Sequence, residues 1–441
     1  MRYVDPSQGT LHSEVRTVHH RVLLRIIEAQ HERQDYARGI QQERLRATVT
    51  VTAAAFSPCG GYLVCSSDLG RLAVWELAPY MDRGAFSTGE VRDTTPHLSF
   101  QADGSCINHV TFAEEFLLCG GDESLFGWPW SEILSALLRG SPPTGAVNDD
   151  EGKRGDGVKY SPPLRVRCPQ ARTRRGAFSP YPEINDIVFD KMTGRVLCAA
   201  GDGNAYEWDM RALATSMGEV RDVSQAPVQT YRGRRGYLHA VASAPGCSFV
   251  ATGSEDGSVG IWDRRVNNDS DGANATFLKP THVKAGDGNE GSPREGVGSD
   301  GEAWVSSLEM DEGGHTLVCA GGRGGRAEST EADAGRGWVN QWNLAALTAM
   351  SVASIPAEVQ CLTVTDEGQT LLVGGAEGSV TYLSRSRLET RARTPTCSPS
   401  LYALAVNATG PHEGITCLAG VGPVVAICTL PGIVSFTLCF V

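Results

Sequence analysis

The chain has 441 residues, of which 41% are hydrophobic and 20% charged, ordinary proportions for a folded globular protein. Acidic residues (51) outnumber basic ones (39), and the net charge of −12 excludes a protein whose whole surface grips nucleic acid, leaving only a local basic patch open. Length alone would allow about three domains, unless the sequence repeats and a single ring absorbs many units.

In chain order, Val15, Val18, Val22 and Ile26 come first, at helical spacing, with Leu23 and Ile27 beside them and Ser13 placed to cap the start. Charge density rises beyond Ala29 (Glu32, Arg33, Asp35, Arg38, Glu43, Arg44, Arg46), so the helix is expected to run toward the next element. Residues 1–46 read as an N-terminal helical extension. It either packs on the remainder of the chain or offers its apolar stripe to a partner helix or groove. Asp5, Glu14, Glu28 and Glu32 argue against a mitochondrial presequence.

From residue 47 to 441 one pattern recurs. The first unit runs from Phe56-Ser57-Pro58-Cys59-Gly60 through Ser67-Asp68-Leu69-Gly70 to Val74-Trp75-Glu76-Leu77. The second begins at Ile107-Asn108-His109-Val110 and passes Gly121-Asp122-Glu123-Ser124 on the way to Trp128. An insertion at 139–181 follows, rich in Gly, Ser, Pro and charge and expected to be mobile. Within it, Arg165, Arg167, Arg172, Arg174 and Arg175 lie in 164–176 without any acid, followed by Phe178 and Tyr181. That composition suits either a solvated linker or a basic loop that touches RNA phosphates and stacks on bases.

The third unit starts at Glu183-Ile184-Asn185 and ends Gly201-Asp202-Gly203-Asn204-Ala205-Tyr206-Glu207-Trp208-Asp209. The fourth starts at Leu238-His239-Ala240-Val241 and ends Glu255-Asp256-Gly257-Ser258-Val259-Gly260-Ile261-Trp262-Asp263. A second mobile insertion is expected near 266–303. The fifth unit spans Trp304 to Trp342, interrupted near 323–337, and the sixth goes from Val359 through Glu377-Gly378-Ser379 to Tyr382. The last starts at Leu401-Tyr402-Ala403-Leu404. Its uncharged tail, Gly414 to Val441, is long enough to span a bilayer, but Gly420, Gly422, Pro423, Pro431 and Gly432 cut it into strand-sized pieces.

Each unit reads as an alternating strand, a more hydrophobic strand, an acid-containing turn and a third strand closing on an aromatic. Asp-Gly suits a two-residue hairpin in which both residues take positive φ. Asp202 and Asp256 therefore read as turn formers, while Trp75, Trp208, Trp262 and Trp342 read as packing residues over the seam between neighbouring sheets. The intervals Asp202 to Trp208 and Asp256 to Trp262 are both six residues.

These units resemble the WD-repeat family, and seven of them imply an all-β, seven-bladed WD-repeat β-propeller. The Gly-His step common in that family reads Gly233-Arg234 before the fourth unit and Ala102-Asp103 before the second, so its His–Asp–Trp hydrogen-bond network is expected to be incomplete. Five fragments also resemble, in their order, a narrower family, the sixth subunits of the THO complex. They are Ser57-Pro58-Cys59-Gly60, Pro182-Glu183-Ile184-Asn185, Glu255-Asp256-Gly257 with Trp262-Asp263-Arg264, Val339-Asn340-Gln341-Trp342 and Ser435-Phe436-Thr437-Leu438. The resemblance implies a nuclear, non-enzymatic scaffold in mRNA processing and export. It implies as partners other THO subunits, especially the helical subunits 5 and 7, with RNA handled only indirectly and no membrane.

No catalytic, cofactor or metal constellation stands out. The ten histidines are scattered, and no nucleophile elbow or phosphate-loop signature occurs. Thirteen cysteines include no Cys-x-x-Cys pair, and Cys65, Cys119, Cys198 and Cys319 share one repeat position, as small buried hydrophobes would. Their odd number and the lack of a secretory signal favour a reducing compartment. Finally, Trp208-Asp209-Met210-Arg211 and Trp262-Asp263-Arg264-Arg265 both fit Trp-Asp-x-Arg. That pattern resembles the box by which some WD-repeat proteins dock on the adaptor of a cullin-4 ubiquitin ligase, with Arg211 and Arg265 offering guanidinium forks to the partner. A substrate receptor of that ligase is the alternative function.

Overall fold

Each unit folds as one antiparallel sheet of four strands. In the first, Val51–Phe56, Tyr62–Ser67, Arg71–Glu76 and Leu98–Gln101 pair in that order. The second strand is buried almost throughout because it has a strand on each side and a neighbouring sheet over each face. Leu63, Val64 and Cys65 in the first sheet, and Val196, Leu197 and Cys198 in the third, have no exposed surface. The shared cysteine position is therefore a core position. Burial pushes the Cys319 thiol up to about 12, so it stays protonated at neutral pH.

The computed structural model describes residues 49–81, 94–143, 162–171, 178–215, 226–233, 236–266, 275–280, 303–323, 336–365, 368–396, 398–422, 424–429 and 435–439. The chain divides into a unit of residues 1–49 and a unit of residues 50–441 that holds all the sheets. The expected N-terminal helix falls in 1–48, outside the described residues. Seven four-stranded sheets follow one another, at 51–101, 107–166, 184–232, 238–278, 303–355, 359–395 and 401–439, here called blades 1 to 7. Their first strands touch in succession, and that of blade 7 (Leu401–Val406) returns to that of blade 1. All seven first strands or their edges line one axial cavity of about 730 Å³. The architecture is an all-β β-propeller.

The core lies in the seams. Trp128 of blade 2 packs with Leu72, Val74 and Phe100 of blade 1, Trp208 with Leu118, Leu125 and Leu164 of blade 2, and Trp262 with Leu197 and Tyr231 of blade 3. Trp342 packs with Ala251 and Ile261 of blade 4. Phe100 meets Trp128 edge-on at 5.5 Å and Tyr231 meets Trp262 at 5.9 Å, the preferred aromatic geometry. Trp75 is equally buried and donates its indole N–H to Thr94 O at 3.2 Å. The Trp262 indole donates to Thr252 Oγ1 at 3.0 Å, within its own blade.

Several expectations need correction. The insertions 139–181 and 266–303 contain the fourth strands of blades 2 and 4, Leu164–Val166 and Ala275–Leu278, and helix Trp130–Arg139 precedes the first of these. Strands of three or four residues are too short to show a period of two among glycines and serines. The interruption expected at 323–337 is narrower, because Arg323 and Gly337 both end strands. In blade 6 the tryptophan position is taken by Leu383, buried and paired with Leu371 as Trp262 is with Val250; the expected Tyr382 faces the other way. Leu383 lies six residues after Glu377, so the six-residue interval was the better guide.

The Asp-Gly turns are also longer than two residues. Ala199 pairs with Ala205 and Gly253 with Val259, and only the glycines take positive φ, Gly203 at 83° and Gly257 at 75°. Asp202 and Asp256 instead close the loops with their carboxylates, accepting the Asn204 N–H at 3.1 Å and the Ser258 N–H at 2.9 Å. The uncharged tail forms the strands Ile415–Gly420, Val424–Thr429 and Ser435–Cys439 of blade 7. No described helix is long and apolar enough to cross a membrane.

Blade 7 is made wholly from the C-terminal part of the chain, so the seam back to blade 1 has no covalent link between adjacent strands. Backbone bridges from Thr50 to Val421 and Gly422 and side-chain hydrogen bonds hold it instead. Asn407 Nδ2 donates to Gly60 O at 2.9 Å, and Thr409 Oγ1 donates to Pro58 O at 3.0 Å. Cys65 and Cys417 meet across the same seam, with burial first and then Cys417 pushing the Cys65 thiol up. Gly60 sits at φ 68°, and a Cβ there would collide with the Thr409 carbonyl. Gly60→Ala is therefore expected to lower the thermal unfolding midpoint by several degrees, at a cost of about 1–3 kcal/mol, whereas Gly414→Ala, with open space around it, costs only its backbone strain.

Candidate docking face and the buried arginine beneath it

The residue two places beyond the tryptophan position has one job in six blades. The backbone N–H of Leu77, Trp130, Met210, Arg264, Leu344 and Arg385 donates to the turn between the first and second strands of its own blade, at 2.6–3.0 Å. This folds each chain back under its own sheet. Leu77, Met210 and Leu344 are buried apolar plugs. Blades 4 and 6 place arginines there, Arg264 and Arg385, and Arg264 is the one held by two buried carboxylates.

Arg264 is sandwiched between blades 3 and 4 with a tenth of its side chain exposed. Its Nη1 donates to Asp190 Oδ2 at 2.6 Å and its Nη2 to Glu207 Oε1 at 2.9 Å, both carboxylates being buried. Tyr231 donates its hydroxyl to Glu207 Oε2 at 2.5 Å, and Arg195 Nη1 lies 3.6 Å from Oε1. Asp190 Oδ1 also accepts the backbone N–H groups of Met192 and Gly246, each at 3.0 Å. Burial alone would raise the Asp190 pKa, but Arg264 and these backbone donors outweigh it and hold the carboxyl below its ordinary range. The same acids hold the Arg264 pKa up against its own burial.

Just past this core stand the two arginines of the Trp-Asp-x-Arg pattern, on the same face of the ring because each follows the third strand of its blade. Arg211 lies exposed in the short helix Met210–Thr215, whose start is capped by Asp209 Oδ1 accepting the Arg211 N–H at 2.9 Å. Arg265 is also exposed, but its fork is folded onto Asp263, with Nε to Oδ1 at 2.9 Å and Nη2 to Oδ2 at 2.6 Å. Gln229 of blade 3 donates to Val266 O at 2.9 Å and joins the two blades at this rim. The exposed side chains Val228 and Val266 flank that contact.

The basic segment 164–176 is only partly at this disposal. Arg165 lies over the Phe126 ring at 5.1 Å and 3.6 Å from Asp103; Arg167 lies over Tyr181 at 4.6 Å and 3.7 Å from Glu123. Both belong to the edge of blade 2, which corrects the expectation of a mobile loop there. Arg172, Arg174 and Arg175 lie outside the described residues. Among the described residues, no three His, Cys, Asp or Glu side chains are placed to hold a metal ion.

The structure thus puts Arg211 and Arg265 on one face, buries Trp75, Trp208, Trp262 and Trp342, and places Asp202 and Asp256 in turns. Sequence reasoning passed over Arg264, although it stands between Asp263 and Arg265 in the quoted box. Its partners are 74 and 57 residues away, and nothing local marks them.

The family description "WD domain, G-beta repeat" matches residues 41–76 and 225–263. The ring of four-stranded sheets is a β-propeller, and these two segments of it match the WD repeat. Over most of its length it is similar to proteins called THO complex subunit 6. The Arabidopsis thaliana relative is 28% identical over 399 residues, 86% of this chain and 92% of the relative. The Danio rerio homologue is 23% identical over 373 residues (84% and 91%), and the Homo sapiens protein 22% over 366 residues (82% and 84%).

Replacing Arg264 with Met, the residue blade 3 uses at this position, would leave two carboxylates buried without their cation. The expected cost is about 3–5 kcal/mol at neutral pH, read by chemical denaturation. The pH dependence has a definite sign. The folded pKa of Asp190 is lowered, so its stabilising contribution is present above the unfolded value of about 3.9 and is lost as pH falls through the folded one. The gap between wild type and Arg264→Met should therefore narrow as the pH is taken below about 4.

Proposed function

We propose that this protein is a non-catalytic scaffold subunit of a THO complex, acting through protein–protein contacts in mRNA processing and nuclear mRNA export. The observation that carries this reading is the extent of the similarity to proteins named THO complex subunit 6. It covers 86% of this chain and 92% of the Arabidopsis protein, far beyond the two segments that match the WD repeat alone. The partners are other THO subunits, especially the helical subunits 5 and 7, for which the rim and two faces of a propeller offer docking surface. RNA is reached only through the assembly, in keeping with the net charge of −12. The protein works in the nucleus.

A second reading, a substrate receptor of a cullin-4 ligase, rests on the exposure of Arg211 and Arg265 at the same position of successive blades. Arg211 is the more available of the two, since Arg265 must first leave Asp263. That ion pair is exposed and costs little to open.

Affinity purification of the tagged protein with mass spectrometry separates the two. THO subunits recovered equally with wild type and with Arg211→Ala plus Arg265→Ala support the scaffold. A ligase adaptor lost in that double variant, with no THO subunits recovered from either protein, overturns it.

A further inference from the structure

We propose that the axial cavity is a binding site for a positively charged side chain, arginine or lysine, presented by a peptide segment of a partner protein, with Glu183 and Glu255 as its anions and Trp304 and Tyr237 as its aromatic walls. This goes beyond the scaffold reading and does not depend on it. The cavity measures about 730 Å³, within the usual range for ligand sites of roughly 300–1,000 Å³. Its lining includes three carboxylates (Glu183, Asp186, Glu255) and, among the described residues, no lysine or arginine.

The groups gather on one arc. Glu183 comes from the start of blade 3, Tyr237 and His239 from the start of blade 4, Glu255 from the turn after that blade's second strand, and Trp304 from the first strand of blade 5. The Tyr237 hydroxyl donates to Glu183, and the Tyr237 and His239 rings stand 5.0 Å apart. Gly322 makes room for the Trp304 ring, since a Cβ there would collide with it. Burial pushes the His239 pKa down against the opposing pull of Glu255 and Glu183, so the imidazole brings no cation of its own. Burial, and then Glu183, holds the nearby Asp122 carboxyl above its ordinary range, a mark of acids crowded without neutralisation.

Asp186 is already committed, accepting the N–H groups of Ile187 and Val241 at 2.8 Å each and lying 3.3 Å from His109. Glu183 and Glu255 remain as the groups facing a ligand. The described carboxylates and imidazoles are not placed to hold a metal ion, which points to an organic cation. Aromatic faces beside carboxylates suit a guanidinium or ammonium group, which pairs with the acids at its edge and lies over the rings. The cavity exceeds one such group, and a peptide backbone accounts for the remaining volume.

The test uses the immobilised full chain and three peptide pools, randomised at every position except a central arginine, citrulline or glutamate. The arginine pool should be captured about tenfold or more over the citrulline pool, the size of one lost charged hydrogen bond. Capture should fall to the citrulline level with Glu183→Gln plus Glu255→Gln and with Trp304→Leu. Glu255 is exposed, so Glu255→Gln alone keeps the test valid if the other variants unfold, and it should weaken capture severalfold. Equal capture of the arginine and citrulline pools overturns the proposal, as does capture undiminished by Glu255→Gln. Displacement of the arginine pool by equimolar spermidine also overturns it and assigns the site to small polyamines.

Discussion

A ring of sheets stands only if every seam is tight, because each sheet has two apolar faces and none can be left wet. Within the chain, connecting loops hold six of these seams near closure. The seventh, between blades 7 and 1, brings together segments almost the full length of the chain apart. Its closure entropy is not large, since loop entropy grows only logarithmically with length, but its contacts must form without help from a connecting turn. Asn407 and Thr409 meeting the Pro58–Gly60 turn are among those contacts, with the backbone bridges from Thr50 to Val421 and Gly422. Asp190 makes the corresponding reach from blade 3 to Gly246 of blade 4. The same stitch, with a carboxamide at one seam and a carboxylate at the other, joins the end of one blade's first strand to the turn of the next.

Most seams are filled by apolar side chains, whose burial is favourable wherever it happens and is therefore tolerant of small shifts. The seam between blades 3 and 4 is different in kind. Arg264, Asp190, Glu207 and Tyr231 form a buried polar cluster in which each charged group has its partners. A cluster of this sort gives little net stability over a well-packed apolar one, and it is severe toward any arrangement that leaves a member unpaired. It lies directly under the rim where Arg211 and Arg265 emerge. The exposed arginines are thus mounted directly over this paired polar cluster.

The architecture was legible because strand periodicity, turn glycines and a repeated aromatic are local signals that the repeat multiplies. The second strands, the core cysteines and the three strands of the uncharged tail could all be read. Short outer strands such as Leu164–Val166 could not, because three residues carry no period. Tyr382 was mistaken for the blade 6 core residue because an aromatic is easier to notice than Leu383, which keeps the interval. Arg211 and Arg265 were visible as a motif, but the pairing of Arg265 with its own Asp263 was not. Arg264 and the arc of Glu183, Tyr237, Glu255 and Trp304 were invisible for a different reason. Their neighbours are set by the closed ring, which brings residues from three blades to one axis, and no window along the chain contains them.

The arginine between blades 3 and 4 also bears on how a repetitive chain avoids folding out of order. Blades built alike can stack against the wrong neighbour, or close with one too few. At the position of Glu207 the other blades carry Val74, Gly127, Ile261, Gln341, Tyr382 and Ile427. Only blade 3 offers a carboxylate there. Blade 4 set against any other face would bury a guanidinium without that partner, and the mismatch would cost several kcal/mol. Arg264 thus favours the native pairing of blades 3 and 4 over any other placing of blade 4.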